Sequence, residues 1–206
     1  KVLKKAVDDG IFIKNPAEGI INRIDKNSVK KDVLTSDEIK KLFNTTCGNE
    51  EIKKSFLFGC FTGFRPSDIY KLKWKNVVGD SIQMEQSKTG VVNKIKLKPE
   101  IIALIGKRGK PDDNIFNINN PKTGKLITLN GINTVLDNWV KKAGIEKNIT
   151  AYCSRHSFGT NIYLFSKDIK SASQLLGHTS LEHTIKYVRK AEQLENDAID
   201  KLPGFI

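Results

Sequence analysis

Residues 149–163 read ITAYCSRHSFGTNIY. From Tyr152 onward the apolar positions Phe158, Ile162 and Phe165 recur at helical spacing, so the segment predicts an amphipathic helix over 152–165 with these side chains toward a core. Arg155 sits inside that helix with His156 beside it. A guanidinium near an apolar face is costly to bury without a partner, so the pair marks the helix as more than packing.

Working outward, the neighbouring segments are also helical. Helices are expected at about 130–143, 169–177 and 181–188, with a charged amphipathic tail over 190–201 carrying an apolar stripe of Leu194, Ala198, Ile199 and Leu202. Upstream, Thr35 and Glu38 form a T-x-x-E capping box that opens a helix running to about Cys47. A second helix, about 50–61, ends in SFLFGCF and should be central. Gly63 breaks it, and Pro66 suits the first turn of a short helix, PSDIYKLK.

The pattern changes only at 76–98, where SIQMEQ and VVNKIKLK alternate around SKTG and predict a hairpin with Gly90 at the turn. Helical spacing returns in PEIIALIGK, and 110–129 is a connection rich in Pro, Asn and Gly. The expected class is α+β, mostly α-helical, with one small antiparallel β-sheet.

At the N-terminus, KVLKKAVDDG has helical spacing through Val2, Leu3, Ala6 and Val7, and reads as the end of an element that began earlier. A chain opening on Lys is expected to be a fragment or a processed product. Residues 22–34, NRIDKNSVKKDVL, are polar and basic, as a linker would be.

Lys and Arg number 35 against 23 Asp and Glu, a formal charge of +12. Such a balance fits either a solubilising surface or a polyanionic partner, since cations facing phosphates release counterions. Cys47, Cys60 and Cys153 are too few and too irregular for a disulfide framework or a zinc cluster, and Cys60 and Cys153 are expected in the core. No apolar run approaches the roughly 18 residues of a membrane span, and no signal-peptide core is present, so an intracellular, soluble protein is expected.

Several residues carry possible chemistry. Arg65 lies where one helix ends and another begins, a place that favours an anion, and Asp68 could steady its guanidinium. Lys88 is at the hairpin tip, from which an ammonium could reach a phosphate and protonate a departing alkoxide. Tyr187 is a possible covalent nucleophile. Each also has an ordinary reading: a helix-start ion pair at Arg65, a solvated turn at Lys88, a core histidine at His156, a helix cap at His178 and a core aromatic at Tyr187.

Taken together, TGFRPSDIYKLKW, SKTG, ITAYCSRHSFGTNIY and LLGHTSLEHTIKYV resemble, in order and spacing, the tyrosine recombinases of the phage integrase family. The resemblance runs from about Leu34 to Lys190. It implies a catalytic domain over 35–190, preceded at 1–21 by the last helix and connector of a core-binding domain and followed by a tail helix over 191–206. It implies Arg65 and Arg155 as the catalytic arginines, Asp68 as the acidic companion and Lys88 as the hairpin lysine that protonates the 5′-oxygen. His178 would contact the scissile phosphate, Tyr187 would be the nucleophile, and His156 would support the site.

Tyr152 departs from the pattern, because the family usually has His at the first place of its H-x-x-R element. A phenol with a reference pKa near 10 is a poor base at neutral pH. The implied reaction is two transesterifications through a 3′-phosphotyrosyl link, with no metal, no ATP and no cofactor. The implied partners are double-stranded DNA and further protomers in a tetramer on paired sites, in the cytoplasm at the nucleoid, with no membrane. A type IB topoisomerase and a catalytically silent DNA-binding module remain as alternatives.

Overall fold

The computed structural model describes residues 2–19, 32–88 and 90–200. It divides into a short unit over residues 1–30 and a larger one over 31–206. In the short unit, α1 (Val2–Asp8) ends in a turn at Gly10, and its Val2, Ile11 and Ile13 are exposed.

The larger unit begins with Val33 and Leu34 already buried, at the end of the stretch read as linker. The Leu34 amide donates to Ser157 Oγ at 2.8 Å and its carbonyl accepts from Asn161 Nδ2 at 3.1 Å, so the chain enters the core here. Thr35 then caps α2 (Ser36–Asn44): its hydroxyl accepts from the Glu38 amide, and the Glu38 carboxylate accepts from the Thr35 amide. The capping box is as expected, and the helix stops three residues short of Cys47 because Thr45 is extended.

Helix α3 (Glu50–Thr62) is central, with Ile52, Phe56, Leu57, Phe58 and Cys60 buried. It ends at Gly63 in the left-handed conformation, φ 69°, where an added Cβ would lie 2.3 Å from the Phe158 ring. Pro66 opens the short α4 (Pro66–Ile69) directly behind it.

A turn of tight helix, Trp74–Asn76, leads into a three-stranded antiparallel sheet, β1 (Val77–Val78), β2 (Ser81–Glu85) and β3 (Val92–Lys96). The β2–β3 register runs from Ser81↔Lys96 to Glu85↔Val92, leaving Lys88 in the connecting loop, as the SKTG signal implied. Helix α5 (Pro99–Ile105) follows, then an irregular connection that buries Ile115, Phe116 and Ile118.

Helices α6 (Leu129–Lys142), α7 (Cys153–Ser166), α8 (Ile169–Leu176) and α9 (Glu182–Ile199) complete the unit. Helix α7 packs against α3, α8 and α9. Cys60 and Cys153 are buried in the core, and burial pushes the Cys60 thiol far up.

Two expectations are corrected. Phe165 does not face the core: it is 78% exposed, because the last turn of α7 runs past the elements packed on it. The tail is not a separate helix. Residues 182–199 form one helix, since no Gly or Pro interrupts EHTIKYVRKAEQLENDAI. In its second half Ala191 is fully buried, Leu194 is half-buried and Ile199 is exposed. The Ala198 side chain and Leu202 lie outside the described residues.

Candidate active site

Helix α7 supplies the centre of the site. Arg155, 4% exposed, donates from Nη1 to the Gly63 carbonyl and from Nη2 to the Leu176 carbonyl, both at 2.7 Å. Both acceptors are main-chain oxygens beside a helix C-terminus, where the carbonyl dipoles favour a cation. Burial, and then the neighbouring Arg65 charge, lower the Arg155 pKa to about 10, so it remains a cation at neutral pH.

Arg65 occupies the N-cap of α4. Its Nη1 donates to Gln86 Oε1 and lies 3.9 Å from Asp68 Oδ2, with Asp68 fully buried beneath it. Gln86 in turn donates through Nε2 to the Leu176 carbonyl at 3.0 Å. One carbonyl therefore joins both arginine networks.

Tyr187 comes from α9 and is 3% exposed. Its ring lies close against Gly159, where an added Cβ would meet Tyr187 Cγ and Cδ2 at 3.0 Å, so a larger residue there would press on the phenol ring. Its hydroxyl is 3.2 Å from His156 Nδ1. Burial raises the phenol pKa, while the Arg155 and Arg65 charges oppose the rise.

His178 follows the C-cap Gly177 of α8, and its ring is nearly parallel to that of Tyr187, with centroids 6.0 Å apart and planes 5° from parallel. Its Nδ1 is 2.8 Å from Thr184 Oγ1, which leaves Nε2 for another partner. Burial first, then the Arg155 charge, hold its pKa down to about 3, so the ring is a neutral imidazole at working pH.

Arg65, Lys88, Tyr152, Arg155, His156, His178 and Tyr187 all line one open cleft. Thus the structure gathers the residues singled out in the sequence, with Asp68 behind Arg65. Sequence reasoning missed Gln86, Asn93 and Thr184. Gln86 and Asn93 tie the hairpin to the α8 carbonyls of Leu176 and Leu175, and Thr184 holds His178. Neutral amides bonded to main-chain oxygens, and a hydroxyl bonded to a ring nitrogen, leave no periodic or charge signal. His183 and Lys186, also along the cleft, were within the quoted motif but were not singled out.

This is a helical domain that gathers guanidinium, imidazole and phenol groups from distant stretches of chain at one cleft. Residues 32–193 match the model of the phage integrase family, most of the chain, and the protein belongs to that family. Among curated relatives, a tyrosine recombinase of Thermosipho africanus is 27% identical over 200 residues, covering 94% of this chain and 69% of the relative. A tyrosine recombinase of Pseudothermotoga lettingae is 28% identical over 199 residues, covering 91% of this chain and 66% of that one. The chain thus spans about two thirds of the length of these relatives.

The fold is shared with the crystal structure of XerA recombinase, at TM-score 0.63 and 21% identity over 87% of this chain and 66% of that one. It is also shared with a lambda integrase (75–356) dimer bound to a COC′ core site, at TM-score 0.66 and 21% identity over 89% and 68%.

Proposed function

We propose that this chain is the catalytic part of a site-specific DNA recombinase that cleaves and rejoins DNA through a 3′-phosphotyrosyl intermediate. The observation that carries the reading is the convergence of two arginines and a neutral imidazole on one buried tyrosine at a cleft edged by Lys88.

Tyr187 attacks the scissile phosphate, forming the Tyr–O–P bond as the P–O5′ bond breaks. Arg65 and Arg155 stabilise the charge that develops on the equatorial oxygens, and an Arg fork matches two oxygens at once. His178 donates from Nε2 to the same phosphate. Lys88 protonates the departing 5′-oxygen. A 5′-hydroxyl from the partner duplex then reverses the step, and the ester holds the bond energy meanwhile, so the chemistry calls for no ATP.

The chain acts on double-stranded DNA with other protomers, as a tetramer on paired sites, in the cytoplasm at the nucleoid. Residues 1–21 are the end of a preceding core-binding domain, and the tail read at 191–206 serves docking between protomers through its part beyond Glu195. Among the described residues no helix is long and apolar enough to cross a membrane.

A nicked suicide duplex tests the reading. The protein should form a covalent adduct, and Tyr187→Phe should abolish it while duplex binding is retained. An adduct that survives Tyr187→Phe moves the nucleophile elsewhere. No adduct at all leaves a DNA-binding module, and an adduct without strand exchange on paired sites points to a topoisomerase.

A further inference from the structure

The Tyr187 proton must leave as its oxygen bonds to phosphorus, yet Tyr152 stands where the family motif has its imidazole. Tyr152 is the N-cap of α7, 39% exposed at the cleft. One helical turn later, on the same face, comes His156. His156 Nδ1 is 3.2 Å from the Tyr187 hydroxyl, and the two rings are 5.6 Å apart at 43°. We infer that His156 is the base of this site, accepting the Tyr187 proton in cleavage and returning it in rejoining. The inference rests on the recombinase reading and assigns a step that reading leaves open.

The other groups at the cleft are less suited to this task. Arg65 and Arg155 are cations with no lone pair to offer. The His178 ring lies parallel to the phenol ring, and its Nδ1 is already engaged with Thr184. Lys88 is committed to the leaving oxygen at the other end of the reaction. Among the described residues, His156 is the one whose ring nitrogen is within hydrogen-bond distance of the hydroxyl.

The proton count closes. In cleavage, the lone pair on His156 Nδ1 takes the Tyr187 proton as the O–P bond forms, and the released 5′-oxygen takes a proton from the Lys88 ammonium. In rejoining, the incoming 5′-hydroxyl gives its proton to the Lys88 amine. The Tyr–O–P bond breaks, and Tyr187 recovers its proton from the His156 imidazolium.

Two measurements test the assignment. The chain has 3 histidines, so 15N spectra of the imidazole nitrogens can be assigned with His178→Gln and His183→Gln, leaving His156 by elimination. His156 is expected as the Nε2–H tautomer with Nδ1 bare; an Nδ1–H tautomer at neutral pH overturns the assignment. This readout needs neither DNA nor a folded His156 variant.

The second is adduct formation on nicked suicide duplexes carrying the ends of the element that encodes the protein. His156→Asn can hydrogen-bond near the Nδ1 position but cannot take up a proton. It should slow adduct formation at neutral pH by about 10²–10⁴-fold, the range of general-base catalysis. The deficit should shrink as pH rises, and adding Tyr152→His should recover part of it, because that imidazole returns one turn away on the same face.

The titratable or charged groups around His156 are Tyr152 and Arg155 of α7, Tyr187, Lys186 and His183 of α9, Arg65 before α4, His178 after α8 and Lys88. His178, held near 3, does not titrate in this window. A wild-type rate for His156→Asn, or an equal deficit at every pH, overturns the base role and leaves a positioning contact. Failure of the recombinase reading looks different: the unsubstituted protein then forms no adduct, or the adduct survives Tyr187→Phe.

Discussion

Arg65 and Arg155 carry the same charge but are embedded differently, so their loss should read differently. Replacing either by Ala removes a cation aimed at transition-state charge, an effect of about 2.7–4 kcal/mol, or roughly 10²–10³ in cleavage rate. Arg155→Ala also strands the buried Gly63 carbonyl, at about 1–3 kcal/mol when unsatisfied, and leaves the Leu176 carbonyl with Gln86 as its remaining side-chain donor. Arg65→Ala instead leaves the fully buried Asp68 without its cation, so both variants should lower adduct formation and Tm, and adding Asp68→Asn should restore Tm in the Arg65 variant alone. An equal response of both variants to Asp68→Asn would refute the difference in embedding. His178 offers a pH test. Its folded pKa of about 3 lies below the ordinary 6.5, so the unfolded chain binds this proton first. Stability is then lost as pH falls from 6.5 toward 3, and is fully present above 6.5. His178→Gln should flatten the fall of Tm across that window; an unchanged slope would assign the acid sensitivity elsewhere.

Among the elements, the hairpin and α9 carry separate expectations. The hairpin is clasped to α8 through Gln86 and Asn93, which sets where Lys88 can reach. If Lys88 protonates the leaving oxygen, Lys88→Ala should cleave an ordinary duplex poorly but a bridging 5′-thiolate substrate almost normally. Equal defects on both would remove the acid role. In α9, Ala191 is buried and Lys167 pairs with Glu195, so the first turns past Tyr187 pack within the same chain. Truncation before Ala191 should lower Tm, while truncation after Glu195 should preserve Tm and single-site cleavage but weaken cooperative assembly on paired sites. If the longer form assembles no better than the shorter, docking by the tail is refuted. The capping box at Thr35 and the SKTG hairpin were legible because each is a short-range signal made by its own residues. The continuity of α9 was harder to see, since charged residues end an apolar pattern without ending a helix. Phe165 was misplaced because spacing gives a helix face and says nothing of where the neighbouring elements stop.

At the scale of the whole molecule, the +12 charge predicts strongly salt-dependent association with duplex DNA. The log–log slope of affinity against salt should become shallower by about 0.9 for each phosphate-contacting cation removed. Lys88→Gln therefore tests whether the hairpin tip touches phosphate in the bound state, and an unchanged slope would place it off the backbone. The charged and aromatic members of the site were legible because their identities and order form motifs. Their fixing was not, because it runs through neutral amides, a threonine hydroxyl and carbonyl groups that any sequence possesses.

The Leu176 carbonyl, which accepts from both Arg155 and Gln86, has a bearing on divergence. A main-chain oxygen survives every substitution at its own residue, so drift at position 176 cannot delete the anchor while the helix end stays in place. A site clamped this way stays aligned while most of the surrounding side chains are exchanged. That fits a chain only 27% identical to a relative it matches over 94% of its length. Lineages built on such a clamp can change their surfaces, and with them the DNA they recognise, without rebuilding the chemistry.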